Sequence, residues 1–413
     1  MNKKLMAVAV AGALAAPATV LAQVQIYGRA NLGFDNYSAT GATAGSAQDF
    51  KARNRVFDNS SRLGFRGTED LGGGLRAVFV IESGVNIDTG SQASQFGGAN
   101  GSTGFLASRD SYAGLEGNWG RVTFGRQSIY WVQGVIAQSG ANYINVDVAT
   151  TGAIGRVVGP TARTSNVVAY NSPTVNGLNF TVSYAPNSEA NSGGQDTNGK
   201  IYGLTGRYSG IVNAQVDYAV NDKAPVTTTT AGITTTAPTS QKNSGLKVGV
   251  GYPYAPGAQI AVVFISEKND KIAQCAPVVA GSSCILGVGV AGFAAIGDSV
   301  KANAVIVNWE HTFGNIQALA EVGKVQKAKG CTEAATTTCD NTESTGYMVA
   351  GRYLFSKRTA AYASYNRITN KANATWDVSG GGQSSASASG GFLPATLAGA
   401  DPRIIALGVI HNF

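Results

Sequence analysis

The sequence predicts an all-β fold, a sixteen-stranded antiparallel transmembrane β-barrel, on three observations. Strand-like runs recur from residue 24 to residue 413. The connections between them are alternately very short and long. An export leader precedes the first run.

The leader is read from its three parts. Lys3 and Lys4 form a positive start, Leu5 to Ala16 is an apolar run of signal length, and Val20-Leu-Ala22 offers a cleavage site. Residues 1–22 are expected to be removed, leaving 23–413 as one barrel domain. The apolar run is too short for a membrane anchor, and no later window reaches the roughly 18 consecutive apolar residues of a spanning helix.

Composition narrows the class. With 54 Gly and 13% charged residues the chain fits neither a helical bundle nor a disordered segment. Mean hydropathy is +0.00, the balance of a sheet with one dry and one wet face. Taking the two leader lysines from 31 basic residues leaves 29 against 24 acidic ones, a net charge of +5. That is mild, argues against a dedicated nucleic-acid binder with its clustered basic patch, and is compatible with anionic solutes. Four cysteines fall in two near pairs whose spacings match no Cys-x-x-Cys pattern. In an exported chain they are read as two loop-closing disulfides, Cys275–Cys284 and Cys331–Cys339.

Seven short connections carry turn chemistry, among them Leu71-Gly-Gly-Gly74, Thr174-Val-Asn-Gly177 and Phe313-Gly-Asn315. Eight long ones span about 36–60, 89–108, 128–164, 187–199, 222–243, 269–298, 326–343 and 370–401. Fifteen connections join sixteen strands, from 24–35 to 402–413, and set both ends on the short-turn side. Leu178, Phe180, Val182 and Tyr184 alternate with Asn179, Thr181, Ser183 and Ala185. Other runs, 316–325 especially, alternate poorly. A ten-residue strand is about 33 Å long, and a tilt near 45° leaves about 24 Å of height, the apolar band of an outer-membrane barrel. Lipid offers no water to backbone groups, so the sheet must close. The last strand therefore pairs with the first, and its parity Arg403, Ile405, Leu407, Val409, His411, Phe413 gives a mostly apolar face.

Several segments together resemble Gram-negative general porins of the β-proteobacterial type. They are Val24-Gln-Ile-Tyr-Gly-Arg29, Ser61-Arg-Leu-Gly-Phe-Arg-Gly-Thr-Glu-Asp-Leu-Gly-Gly-Gly-Leu75, Ala77-Val-Phe-Val-Ile-Glu-Ser-Gly84, Val122-Thr-Phe-Gly-Arg-Gln127, Phe355-Ser-Lys-Arg-Thr359 and the terminal Phe413. The resemblance runs from leader to C-terminus. It implies a homotrimer of such barrels in the outer membrane, passing small hydrophilic solutes and ions by passive diffusion; the charge balance and the wall arginines add the expectation of a weak anion preference. It implies that the third long loop, about 128–164, folds into the barrel, and that Phe413 is the signal read by the assembly machinery. That loop holds Tyr130, Trp131, Tyr143, Asp147 and Arg156 and departs from the acidic Pro-Glu-Phe-Gly pattern of many enterobacterial porins. Outer-membrane lipid and lipopolysaccharide are the expected surroundings.

Charge at a narrow aqueous constriction sets selectivity, because low-dielectric walls focus the field. Leu63 and Phe65 take the lipid face, so Arg62 and Arg66 point inward. Glu82 shares its parity with Arg76 and joins them. Arg109 points inward if Tyr112 faces lipid, and Arg126 sits at the root of the third loop. Tyr27 is read as lipid-facing, so Arg29 needs a bulge to turn inward. By resemblance Arg62, Arg109 and Arg163, with Arg29, match a basic ladder on the wall, facing loop carboxylates such as Asp147. A charge on the lipid face costs roughly 2–4 kcal/mol at mid-depth, which argues against all of them pointing outward.

Other functions are weaker. Gly287-Val-Gly-Val-Ala-Gly292 fits a dinucleotide fingerprint but lacks the strand–turn–helix context. The chain has 2 histidines, His311 and His411, both beside strand ends, which speaks against a barrel hydrolase. No cofactor or metal is expected. A substrate-specific channel is the nearest alternative, and an adhesin or receptor working through its loops is more remote.

Overall fold

The computed structural model describes residues 23–59, 61–88, 90, 106–129, 163–186, 200–223, 227–230, 233–236, 241–270, 299–330, 339–374, 376 and 398–413. The expected leader, the glycine-rich 287–292 segment and most of the third loop lie outside them.

The strands are β1 (Gln23–Thr40), β2 (Phe50–Asp58), β3 (Arg62–Gly72), β4 (Leu75–Gly84), β5 (Ser111–Gly117), β6 (Gly120–Ser128), β7 (Arg163–Asn171), β8 (Leu178–Ala185), β9 (Lys200–Ser209) and β10 (Asn213–Lys223). They continue as β11 (Thr227–Thr230), β12 (Ile233–Thr236), β13 (Gln241–Ala255), β14 (Ala258–Asp270), β15 (Val300–Phe313), β16 (Ile316–Val325), β17 (Ser344–Leu354), β18 (Thr359–Asn370) and β19 (Asp401–Asn412). β11 and β12 form a separate threonine hairpin. All the others pair antiparallel with their neighbours, and β2 and β3 share one place beside β1, which gives a closed sixteen-strand barrel. Closure is between the ends, from Arg29↔Asn412 to Thr40↔Asp401.

Local chemistry explains the turns. Val175 bridges Leu178 across Asn176 (φ 49°) and Gly177 (φ 80°), the left-handed pair that a tight hairpin needs. At the seam, Phe413 and Gly28 exchange backbone hydrogen bonds of 3.1 and 3.0 Å. A Cβ at position 28 would lie 2.4 Å from the Phe413 ring, so only glycine lets the terminal aromatic close over the seam.

Two features differ from the expected layout. The first strand runs on to Thr40, and its extension together with β2 takes up more than half of the expected 36–60 loop. The second stave is also broken at residues 59–61. There Asp58 and Ser61 side chains replace ladder bonds, with Ser61 N–H donating to Asp58 Oδ1 at 2.9 Å and Asn31 N–H to Ser61 Oγ at 2.9 Å. Phe57 lies opposite Gly33 and Arg62 opposite Arg29, so β2–β3 carries one more residue than β1 over this stretch. Such a bulge reverses parity. It is what keeps Arg62 on the same face as Arg55.

The two faces separate clearly. On one, Phe180, Val182, Tyr202, Leu204, Val262 and Leu407 are exposed. On the other, residues from strands that are not neighbours meet. Tyr362 of β18 donates to Asn31 of β1 at 2.9 Å, and Ile129 reaches Gly203 of β9. Only a concave surface brings them together, so this is the inside of the barrel. Its chemistry is not uniformly polar. Along β14 to β19 the inward residues Ala261, Val263, Ile265, Ala304, Ile306, Met348, Ile368 and Ile404 form one buried apolar cluster with Tyr37 and Phe57. Cys339 is buried in the same cluster, while Cys331, Cys275 and Cys284 lie outside the described residues.

Candidate functional site

The charged part of the inner wall is built on β1 and β3 to β7. In the β3–β4 hairpin Gly64 lies opposite Glu82, and on the other side opposite Tyr27. A Cβ at Gly64 would be 2.4 Å from the Tyr27 ring, so the glycine admits that ring. Tyr27 then donates its hydroxyl to Glu82 Oε2 at 3.1 Å, and the Arg66 guanidinium lies 5.1 Å over the ring. Tyr27 is therefore inward, not lipid-facing. Arg29, two residues on, is inward by plain alternation and needs no bulge. It is buried, and its Nε donates to Asn412 Oδ1 at 3.1 Å.

Arg109 reaches the site by a different route from the one expected. Tyr112 lies opposite Val80 and beneath the Arg121 guanidinium at 5.8 Å, so it shares the inward face with Glu82. Alternation from a lipid-facing Tyr112 therefore does not apply. Ala107, with φ 66°, turns the chain before β5, and Arg109 N–H docks on the Glu82 carbonyl at 2.9 Å. The Arg109 guanidinium then pairs with the Glu82 carboxylate, which also has Arg62 Nε at 3.7 Å. Glu82 is thus held by two arginines and a tyrosine.

A second pair stands beside it. Arg163 Nε donates to Asp110 Oδ1 at 2.9 Å, and the Ser128 amide and hydroxyl both donate to the same oxygen at 3.0 Å. The β6–β7 ladder slips between Gly125 and Gln127, and Arg126 there donates to Ser108 carbonyl at 3.1 Å and to Ser165 Oγ at 2.9 Å. Arg29 and Arg163 repel Arg62, and Arg163 also repels Arg109 and Arg126. Five arginines thus share a neighbourhood with two acids, Glu82 and Asp110, a net of three positive charges. Arg163 Nη1 is buried with no hydrogen-bond partner among the described residues. On the turn side, a cavity of about 600 Å³ is lined by Gln25, Arg66, Val80, Tyr112, Glu116 and Arg121.

The structure brings together Arg29, Arg62, Glu82, Arg109, Arg126 and Arg163. Asp147 lies outside the described residues. Tyr27 and Asp110 are additions. Tyr27 was hidden by its aromatic character, and Asp110 by its place between two residues already read for parity. The histidines lie elsewhere, in an outer aromatic belt near the short turns. Trp309 Nε1 donates to Tyr254 Oη at 2.7 Å, Tyr254 Oη meets His311 Nδ1 at 2.8 Å, and His311 stacks on Phe313 at 4.0 Å. His411 bonds Thr359 Oγ1 at 2.9 Å.

Comparison with known proteins agrees with the barrel fold. The profile of the Gram-negative porin family matches residues 5–373. An outer membrane porin protein of Bordetella pertussis is 34% identical over 200 residues, covering 45% of this chain and 48% of that protein. The major outer membrane protein P.IB of Neisseria gonorrhoeae is 28% identical over 218 residues, covering 51% of this chain and 57% of that protein. The chain thus spans about half the length of the curated relatives it matches. Among solved structures, an anion-selective porin from Comamonas acidovorans superposes with a TM-score of 0.65 at 20% identity, covering 95% of this chain and 100% of that one. The outer membrane channel DcaP of Acinetobacter baumannii gives 0.58 at 16% identity, covering 95% and 97%. These two likenesses are of fold.

Proposed function

This chain belongs to the Gram-negative porin family, and from that premise we propose that it is a water-filled channel of the outer membrane for small hydrophilic solutes, with a weak preference for anions. The observation that carries the selectivity is the inner cluster of five arginines against Glu82 and Asp110. Both carboxylates are already held by arginines, at Arg109 and Arg163. The charge that remains on this part of the inner wall is positive. Inside a narrow aqueous lumen such a field concentrates anions without any chemical step. The Comamonas neighbour, itself an anion-selective porin, supports the same sign.

Around this core stand further parts of the proposal. The barrel works as a homotrimer, the segment 1–22 is a cleaved export signal, and 128–164 folds inward with Asp147 facing the arginines. Phe413 serves as the assembly signal, and Cys275–Cys284 and Cys331–Cys339 close two loops. Lipopolysaccharide and lipid surround the wall, and no catalytic step is involved.

Planar-bilayer recording tests the core. Discrete conductance steps are expected, with a reversal potential on the anion side in a salt gradient. A trace without steps would end the pore reading, and a cation preference would end the selectivity reading. Arg62→Gln with Arg163→Gln should keep the steps and lower anion preference.

A further inference from the structure

The cavity on the short-turn side of the inner wall is built differently from the cluster around Glu82 and Asp110. Along β3, Arg66 stands four residues from Arg62, and along β6, Arg121 stands five residues from Arg126. At about 3.3 Å per residue these are roughly 13 and 16 Å, so the cavity is a separate place in the lumen. Ladder register assembles it. Gln25, Arg66, Val80 and Tyr112 lie in one row across β1, β3, β4 and β5. Glu116 pairs with Arg121 across β5 and β6. Thr68 and Val78 form the row between. The volume of about 600 Å³ is that of a site for a small organic solute.

Each of its two arginines rests on an aromatic ring. The Arg66 guanidinium lies 5.1 Å over Tyr27, and the Arg121 guanidinium 5.8 Å over Tyr112. Such stacking holds a flat cation against a rigid support. Neither arginine is fully paired. Arg66 donates its Nε to Gln25 at 2.9 Å and has no ion pair among the described residues. Arg121 Nη1 is 3.9 Å from Glu116 Oε2, too far for a hydrogen bond, while Glu116 Oε1 is taken by Arg76. Arg121 Nε is buried with no hydrogen-bond partner among the described residues. A buried donor left unsatisfied costs free energy, and a ligand oxygen at that nitrogen recovers it.

Charge and shape specify the ligand. Arg66 and Arg121 against Glu116 leave one positive charge on the lining, which a single carboxylate balances. A second negative charge would meet Glu116. Carboxylate oxygens accept parallel bonds from one guanidinium edge. Val78 and Val80 are apolar and half-buried, a floor for a flat apolar body beside Tyr112. We propose that this cavity is a second solute subsite, which holds an aromatic monocarboxylate with its carboxylate at Arg121 Nε and its ring against Val78 and Val80. Arg66 supplies the second cation. This deepens, and rests on, the reading of the barrel as an anion-preferring channel: aromatic carboxylates are retained near the short-turn mouth, while inorganic anions pass.

The test uses the full chain refolded in detergent, with sodium benzoate as probe and isothermal titration calorimetry as readout. Benzoate should bind at least about tenfold more tightly than acetate, which lacks the ring, and than benzamide, which lacks the charge. Arg121→Gln should weaken benzoate binding at least about tenfold, and Arg121→Lys should restore only part of it, since an ammonium offers no parallel pair. Arg66→Gln should weaken it by a smaller factor. Unchanged benzoate affinity in Arg121→Gln would overturn the site. Equal affinity for acetate would overturn the aromatic assignment, and tighter binding of phthalate would overturn the single charge. Bilayer conductance in potassium chloride reads the pore separately. Discrete steps from each variant show an intact barrel, so steps without benzoate binding sink the subsite and leave the channel standing.

Discussion

Two arcs of the same inner wall follow opposite rules. From β3 to β7 the inward side chains are ionised and bonded to one another, as at Arg62, Glu82, Arg109, Asp110 and Arg163. From β14 to β19 many are aliphatic and buried, as at Val263, Ile265, Ala304, Ile306 and Ile404, with Glu267, Glu321 and Asn366 interspersed on the same face. Barrel closure decides which side chains point in, but not what they are. Where the second arc is apolar on both faces, its strand reads as a continuous apolar run. Ile260 to Ile265 is such a run. Ile260, Val262 and Phe264 are exposed outward while Ala261, Val263 and Ile265 are buried inward.

The largest break in this contrast should come from moving charge into the dry arc. Ile306 is fully buried. Ile306→Asp is expected to destabilise the barrel by more than about 3 kcal/mol, since it buries an unpaired carboxylate. Denaturant midpoint and refolding yield in detergent measure it. The equivalent change at the half-buried Val307, on the outer face of the same strand, should cost a depth-dependent amount.

A smaller effect is expected from Glu82→Gln in the wet arc. It keeps the shape but removes the charge shared by Arg62, Arg109 and Tyr27. The loss for a broken buried pair is about 3 kcal/mol at most here, because some water reaches Arg62. Net local charge rises by one, so the reversal potential should move further toward anions. A shift toward cations would contradict the account of the cluster.

The mildest change is Tyr27→Phe. It deletes one hydrogen bond to Glu82 and leaves the ring against Gly64. About 1 kcal/mol of stability is expected to go, with selectivity nearly unchanged. A large selectivity change would mean that Tyr27 holds the Glu82 carboxylate in place.

Much of this was legible in the chain itself. Turn chemistry and the short–long rhythm were enough for sixteen staves and for the pairing of the last strand with the first. Leu63 and Phe65 as lipid-facing residues sufficed for Arg62, and Arg76 for Glu82. Parity failed where it leaned on an aromatic as an outside marker. Tyr27 and Tyr112 both point inward, one to hydrogen-bond Glu82 and one to lie under Arg121. Tyrosine has an apolar ring and a polar tip, so either face of a barrel can accept it.

The amino-acid sequence by itself determined the fold class, the number of staves, the seam at Phe413 and the set of arginines available to the wall. The tertiary structure alone decided three other things: the extra residue at 59–61 that reverses parity before Arg62, the turn at Ala107 that delivers Arg109 to Glu82, and the cavity that brings Arg66 and Arg121 together. The reason is physical. Alternation along one strand fixes only which residues share a face. Which face that is, and which residue lies opposite, depends on register between strands, and a single inserted residue changes it.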